Sequence, residues 1–123
     1  MEMTTAVASL SALAHTGRLS AFRMLVQAGA DGLPAGEIAR RLEMPPSTLS
    51  SHLAILDHAG LTRSRRDGRS IIYTADYAVM QGLLGFLLED CCGGAPEICR
   101  PLGDMLAKAA TCDGTCLTDL ELA

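Results

Sequence analysis

The run Pro46-Ser47-Thr48-Leu49-Ser50-Ser51-His52-Leu53-Ala54-Ile55-Leu56-Asp57-His58-Ala59-Gly60, with Leu61-Thr62-Arg63-Ser64-Arg65-Arg66-Asp67-Gly68-Arg69 directly after it, decides the fold. Pro46 suits the first turn of a helix and Gly60 its stop. Leu49, Leu53 and Leu56 fall on one apolar stripe. The other face near the N-terminus is short and polar: Ser47, Thr48, Ser50, Ser51 and His52. At Leu61 the period turns from helical to alternating. Residues 61–66 and 69–74 read as a hairpin whose two-residue turn is Asp67-Gly68, a pair that tolerates the positive φ such turns require.

Upstream, Ile38, Ala39 and Leu42 predict a short helix between Pro34 and Pro45. Leu19, Phe22, Leu25 and Val26 predict a helix stopped by Gly29 and Gly32, and Val7, Leu10, Leu13 and Ala14 predict one ending near Gly17. Downstream, Met80, Leu83, Leu84, Leu87 and Leu88 spread over more than one stripe of a helix that begins at Tyr77 and ends at Gly93-Gly94. A monomer's surface helix needs one apolar face, so this one is expected to touch a second chain as well as its own domain. The order is mainly α with a β-hairpin wing, a winged helix-turn-helix that dimerises through its terminal helices. The expected division is 1–92 for DNA binding and dimerisation and 93–123 for a cysteine-containing extension.

A major groove about 12 Å wide admits one helix. Side chains near the N-terminus of that helix reach base edges, and Ser, Thr and His are short donors and acceptors suited to the reach. Arginines on a wing grip phosphates or the minor groove. The candidate contacts to double-stranded operator DNA are therefore Ser47, Thr48, Ser50, Ser51 and His52 on the helix, with Arg63, Arg65, Arg66 and Arg69 on the hairpin. The formal net charge of −4 over 123 residues does not oppose this. Binding depends on local patches, and acids gather elsewhere, at Glu89, Asp90, Asp104, Asp113, Asp119 and Glu121. No apolar run of about 18 residues is present, so no membrane partner is expected. Met1 to Thr5 lacks the basic start of a signal peptide, and the expected location is the cytoplasm. No Ser/His/Asp arrangement, phosphate loop or paired-carboxylate pocket marks an enzyme.

All five cysteines follow Asp90. Cys91 and Cys92 are adjacent, which strains any disulfide between them but presents two sulfurs to one soft ion. After six intervening residues, among them Gly93 and Gly94, Cys99 can return as a third ligand. Three thiolates suit a three-coordinate trivalent metalloid ahead of zinc, which prefers four ligands in a tetrahedron. Nearby Glu89, Asp90 and Glu97 raise the thiol pKa values, so the ion itself must drive deprotonation. Cys112 and Cys116 form a looser pair that serves as accessory ligands or plays no part.

From Leu10 to Tyr73 the chain resembles the ArsR/SmtB family of metal-responsive winged-helix repressors, most specifically over Ser47 to Leu61 and on through Arg63 to Arg69, with Leu13-Ala14-His15-Thr16-Gly17-Arg18-Leu19 similar to the start of the family's second helix. Two positions depart from the pattern: Pro45 stands where a Ser-type cap is common, and Ser51 where a basic residue is common. The resemblance implies a homodimer that leaves its operator when a thiophilic ion binds. The third-helix cysteine pair of many arsenic sensors is missing from Leu33 to Ala39, and the fifth-helix His of zinc sensors is missing from Tyr77 to Leu88. Cys91, Cys92 and Cys99 instead look like the vicinal pair plus third cysteine of other arsenic-responsive members. The implied inducer is As(III) or Sb(III), with another thiophilic ion as an alternative. Two other readings stay open: a winged-helix repressor switched by thiol oxidation or persulfide, and a metal-buffering protein without DNA binding.

Overall fold

The computed structural model describes residues 1–88, in which five helices surround a small sheet: α1 (Met3–Leu13), α2 (Thr16–Ala28), β1 (Leu33–Pro34), α3 (Ala35–Leu42), α4 (Pro46–His58), β2 (Thr62–Asp67), β3 (Ser70–Ala75) and α5 (Tyr77–Leu87). The sheet is antiparallel in the order β1-β3-β2. The expected fold, mainly α with a β-hairpin wing, is the one observed.

The core sits where α2, α3 and α4 meet. Ala21, Phe22 and Leu25 of α2 pack with Ile38 and Ala39 of α3 and with Leu49, Leu53 and Leu56 of α4, and Leu61 and Ala75 close the cluster from the sheet side. Fully burying a side chain of this size stabilises the fold by about 1.5–3 kcal/mol, so the Leu49/Leu53/Leu56 stripe holds α4 in place. Its outer face is left to other work. Tyr77 adds a polar tie: its hydroxyl donates to the Val26 carbonyl at 3.0 Å and fastens the start of α5 to α2.

Three local features differ from the sequence expectation. α1 stops at Leu13, short of Gly17, because α2 already starts at Thr16. There the His15 Nδ1 caps α2 by accepting from the Gly17 N–H at 3.0 Å, and the Arg18 Nε donates to the Ala12 carbonyl at 2.6 Å. The sheet has a third strand, β1, with Leu33 opposite Tyr73 and Pro34 opposite Ile72. Two residues are too few to show a period, and Pro34 argues against a strand everywhere except at an edge. Finally, the hairpin turn is Gly68-Arg69, one residue later than Asp67-Gly68, because Asp67 pairs with Ser70. Of the two turn residues only Gly68 has positive φ (63°), as in the type of turn that places glycine first.

Entry to the sheet depends on Gly32. Its φ of 70° and ψ of −167° lie in a region essentially reserved for glycine. A Cβ there would run into the Tyr73 carbonyl oxygen and the Thr74 methyl group. The C-terminal end of α5 expected at Gly93-Gly94, and the boundary between 92 and 93, lie outside the described residues.

Candidate nucleic-acid interface

α3 and α4 form the helix-turn-helix. Between them Glu43 adopts the left-handed conformation (φ 53°), and its N–H closes back on α3. Pro45 precedes α4 without any side-chain cap, so the departure from the family pattern is a structural one. A missing cap of that kind is worth about 1 kcal/mol, which packing of the leucine stripe offsets.

With that stripe inward, Ser47, Thr48, Ser50 and Ser51 are exposed along the first two turns of α4. Ser51 directs its hydroxyl to the Ser47 carbonyl at 3.3 Å. His52 is placed differently. It leans toward α2, its ring centroid 4.6 Å from that of His15, and its Nδ1 is buried with no partner among the described residues. Burial pushes its pKa down, and the charges of His15 and Arg18 add to the effect. Gly17 gives it room, since a Cβ there would lie 2.9 Å from the His52 Nε2.

On the wing, Arg63, Arg65, Arg66 and Arg69 are all exposed, but they are not equivalent. Arg63 pairs with Asp76 at 2.8 Å. Arg65 donates to the Asp31 carbonyl at 3.0 Å, fastening the wing to the turn before β1. Arg66 and Arg69, at the tip, make no ion pair among the described residues and remain available to phosphates. Sequence reasoning passed over Arg40 and Arg41 on α3. Both grip Glu37, and their hydrogen bonds bring its carboxyl down to about 2, so one of their two charges is answered within the helix. The i, i+3 and i, i+4 spacings from Glu37 carry that signal in the sequence.

Cys91, Cys92, Cys99, Cys112 and Cys116 lie outside the described residues. Among the described residues no three His, Cys, Asp or Glu side chains gather as a metal site. Nor is any helix there long and apolar enough to cross a membrane.

A buried three-helix core that presents one polar helix face beside an arginine-bearing hairpin is the reading head of a winged helix-turn-helix DNA-binding protein. A family model described as a helix-turn-helix domain matches residues 13–65. The transcriptional activator HlyU of Vibrio cholerae is 34% identical over 67% of this chain and 73% of its own. Among the solved structures that share the fold are two regulators. The homodimeric winged helix-turn-helix domain of Mb0332 from Mycobacterium bovis, described as a possible ArsR-family regulator, is 25% identical with a TM-score of 0.57, over 72% of this chain and 82% of that one. The transcriptional repressor BigR of Xylella fastidiosa is 27% identical with a TM-score of 0.55, over 70% and 85%. The chain belongs to the helix-turn-helix transcriptional regulators, which act by binding DNA and are not enzymes, and it shares the winged fold of ArsR-like neighbours.

Proposed function

We propose that the chain is a homodimeric repressor that holds operator DNA with α4 and the wing, and releases it when As(III) or Sb(III) is captured by Cys91, Cys92 and Cys99. The observation that carries the DNA half is the division of α4. Its leucines are buried in the core, while Ser47, Thr48, Ser50 and Ser51 are exposed, as are Arg66 and Arg69, which make no ion pair among the described residues. Two such heads, about one helical turn apart, would enter successive major grooves of a near-palindromic site.

A dimer is supported by apolar side chains left in solvent on α1 and α5. Met3 is 66% exposed, Val7 56% and Leu87 52%, with Leu10 and Leu84 beside them. Residues 3, 7 and 10 share one face of α1, which packs along α5. An exposed apolar surface of this kind is unusual for a monomer. The homodimeric Mb0332 domain favours the same assembly and the repressor BigR the same sense of regulation, whereas HlyU is described as an activator.

The inducer reading rests on donor chemistry. Three soft thiolates within nine residues, two of them adjacent, match a three-coordinate metalloid. The test is X-ray absorption on the purified chain loaded with As(III), together with light scattering. Three sulfurs per arsenic and a dimer are expected. A first shell of oxygen, or a monomer, overturns the reading. Release of DNA by oxidant alone, with a disulfide visible by mass, would favour the thiol-redox alternative.

A further inference from the structure

Asp76 stands at the meeting point of three functional elements. Its N–H donates to the Leu61 carbonyl at 2.8 Å, where the chain leaves α4. Its Oδ2 accepts from the Arg63 Nε on β2 at 2.8 Å. Its Oδ1 accepts from the Val79 N–H at 3.1 Å, the capping bond of α5. The two carboxylate oxygens therefore hold the wing and the first turn of α5 together, while the backbone of the same residue holds the exit of α4. The carboxylate is 10% exposed and the Arg63 side chain 75% exposed. Arg63 keeps the Asp76 pKa low, so the pair stays charged at neutral pH.

We propose that Arg63 and Asp76 form the joint that sets the wing against α4 and α5, and that Arg63 serves DNA binding as a positioning residue and not as a phosphate ligand. The geometry argues for this division of labour. Arg63 lies at the base of β2 opposite Thr74, whereas Arg66 and Arg69 lie at the tip. A phosphate reaching for Arg63 would compete with a carboxylate already placed on its Nε. The same joint gives a strain arising along α5 a route to the wing, because the Asp76 side chain cannot shift at Val79 without shifting at Arg63.

The inference rests on the wing meeting DNA, so the experiment carries its own control. Operator affinity is measured by fluorescence anisotropy across a salt series for the full chain, with Arg63→Gln, Arg63→Lys, Asp76→Asn, Arg63→Gln/Asp76→Asn and Arg66→Gln, each confirmed folded by circular dichroism. Removing one cation from a duplex phosphate lowers the slope of log affinity against log salt by about 0.9. Arg66→Gln should show that drop; if it does not, the wing reading fails, and not the joint. Arg63→Gln and Asp76→Asn should each weaken binding roughly 5- to 20-fold, the lower part of the range for coupled sites, with the slope of the wild type. The double variant should be no weaker than either single one, and Arg63→Lys should recover most of the affinity. If the slope for Arg63→Gln falls by a full unit, or if Asp76→Asn tightens binding by freeing a cation, Arg63 binds phosphate directly and the proposal is overturned.

Discussion

His52 sits on α4, the helix proposed to read DNA, yet its ring turns inward against His15, with its Nδ1 buried and unpartnered among the described residues. Burial, His15 and Arg18 all disfavour its proton, so its folded pKa lies below the usual value. The sign follows. Below about pH 6.5 the unfolded chain takes up a proton at His52 that the native chain refuses. Stability is therefore highest above that pH, falls as the solution is acidified, and levels off once the folded imidazole protonates as well. Urea midpoints between pH 7.5 and 5 should decline for the wild type and decline less for His52→Gln; equal slopes would refute the assignment. Gly32 offers a second test on one residue. Its backbone angles and the crowding by Tyr73 and Thr74 predict that Gly32→Ala loses about 2 kcal/mol or more. Equilibrium unfolding in urea measures it, and an unchanged midpoint would show that the loop relaxes freely. Neither feature was settled by the sequence. A histidine among serines can pack, cap or face DNA, and the sequence does not choose between them; a glycine before Leu-Pro reads only as a helix stop.

At the scale of elements, α4 and the hairpin were legible because their periods are strong and their flanks carry Pro46, Gly60 and Gly68. What periodicity could not supply was pairing. The two-residue strand β1 exists only because β3 offers it an edge, and the turn moved by one residue because Asp67 found Ser70 across the ladder. The roles of the four wing arginines were hidden for the same reason, since Asp76 and the Asp31 carbonyl are brought to Arg63 and Arg65 by the fold alone. The tip and the base of the wing should thus behave differently. Replacing both Arg66 and Arg69 with Gln is expected to lower the salt slope of DNA binding by about 1.8, for two phosphates, and to leave thermal stability unchanged, because neither makes an ion pair among the described residues. A slope like that of the wild type would remove the tip from the interface.

At the scale of the whole molecule, charge and apolar surface are both segregated. Residues 1–88 carry eight arginines against seven carboxylates, and residues 89–123 two bases against seven. The acidic balance of the chain thus comes from the segment that holds the cysteines, and the reading head is free of it. The exposed Met3, Val7 and Leu87 predict that a charge on this surface disrupts assembly. Val7→Glu should raise the dimer dissociation constant about 100-fold, or some 2.7 kcal/mol, in sedimentation experiments, and weaken operator binding with it; an unaltered dimer would place the interface elsewhere.

The coupling of thiolate chemistry to DNA is measured most directly by titrating As(III) into the chain bound to a fluorescent operator fragment under reducing conditions. The account predicts a fall in affinity of roughly 5- to 150-fold, the usual span of coupling between sites, absent from Cys91→Ser and Cys92→Ser variants that bind DNA normally. An operator complex of the wild-type chain unmoved by saturating As(III) would contradict it.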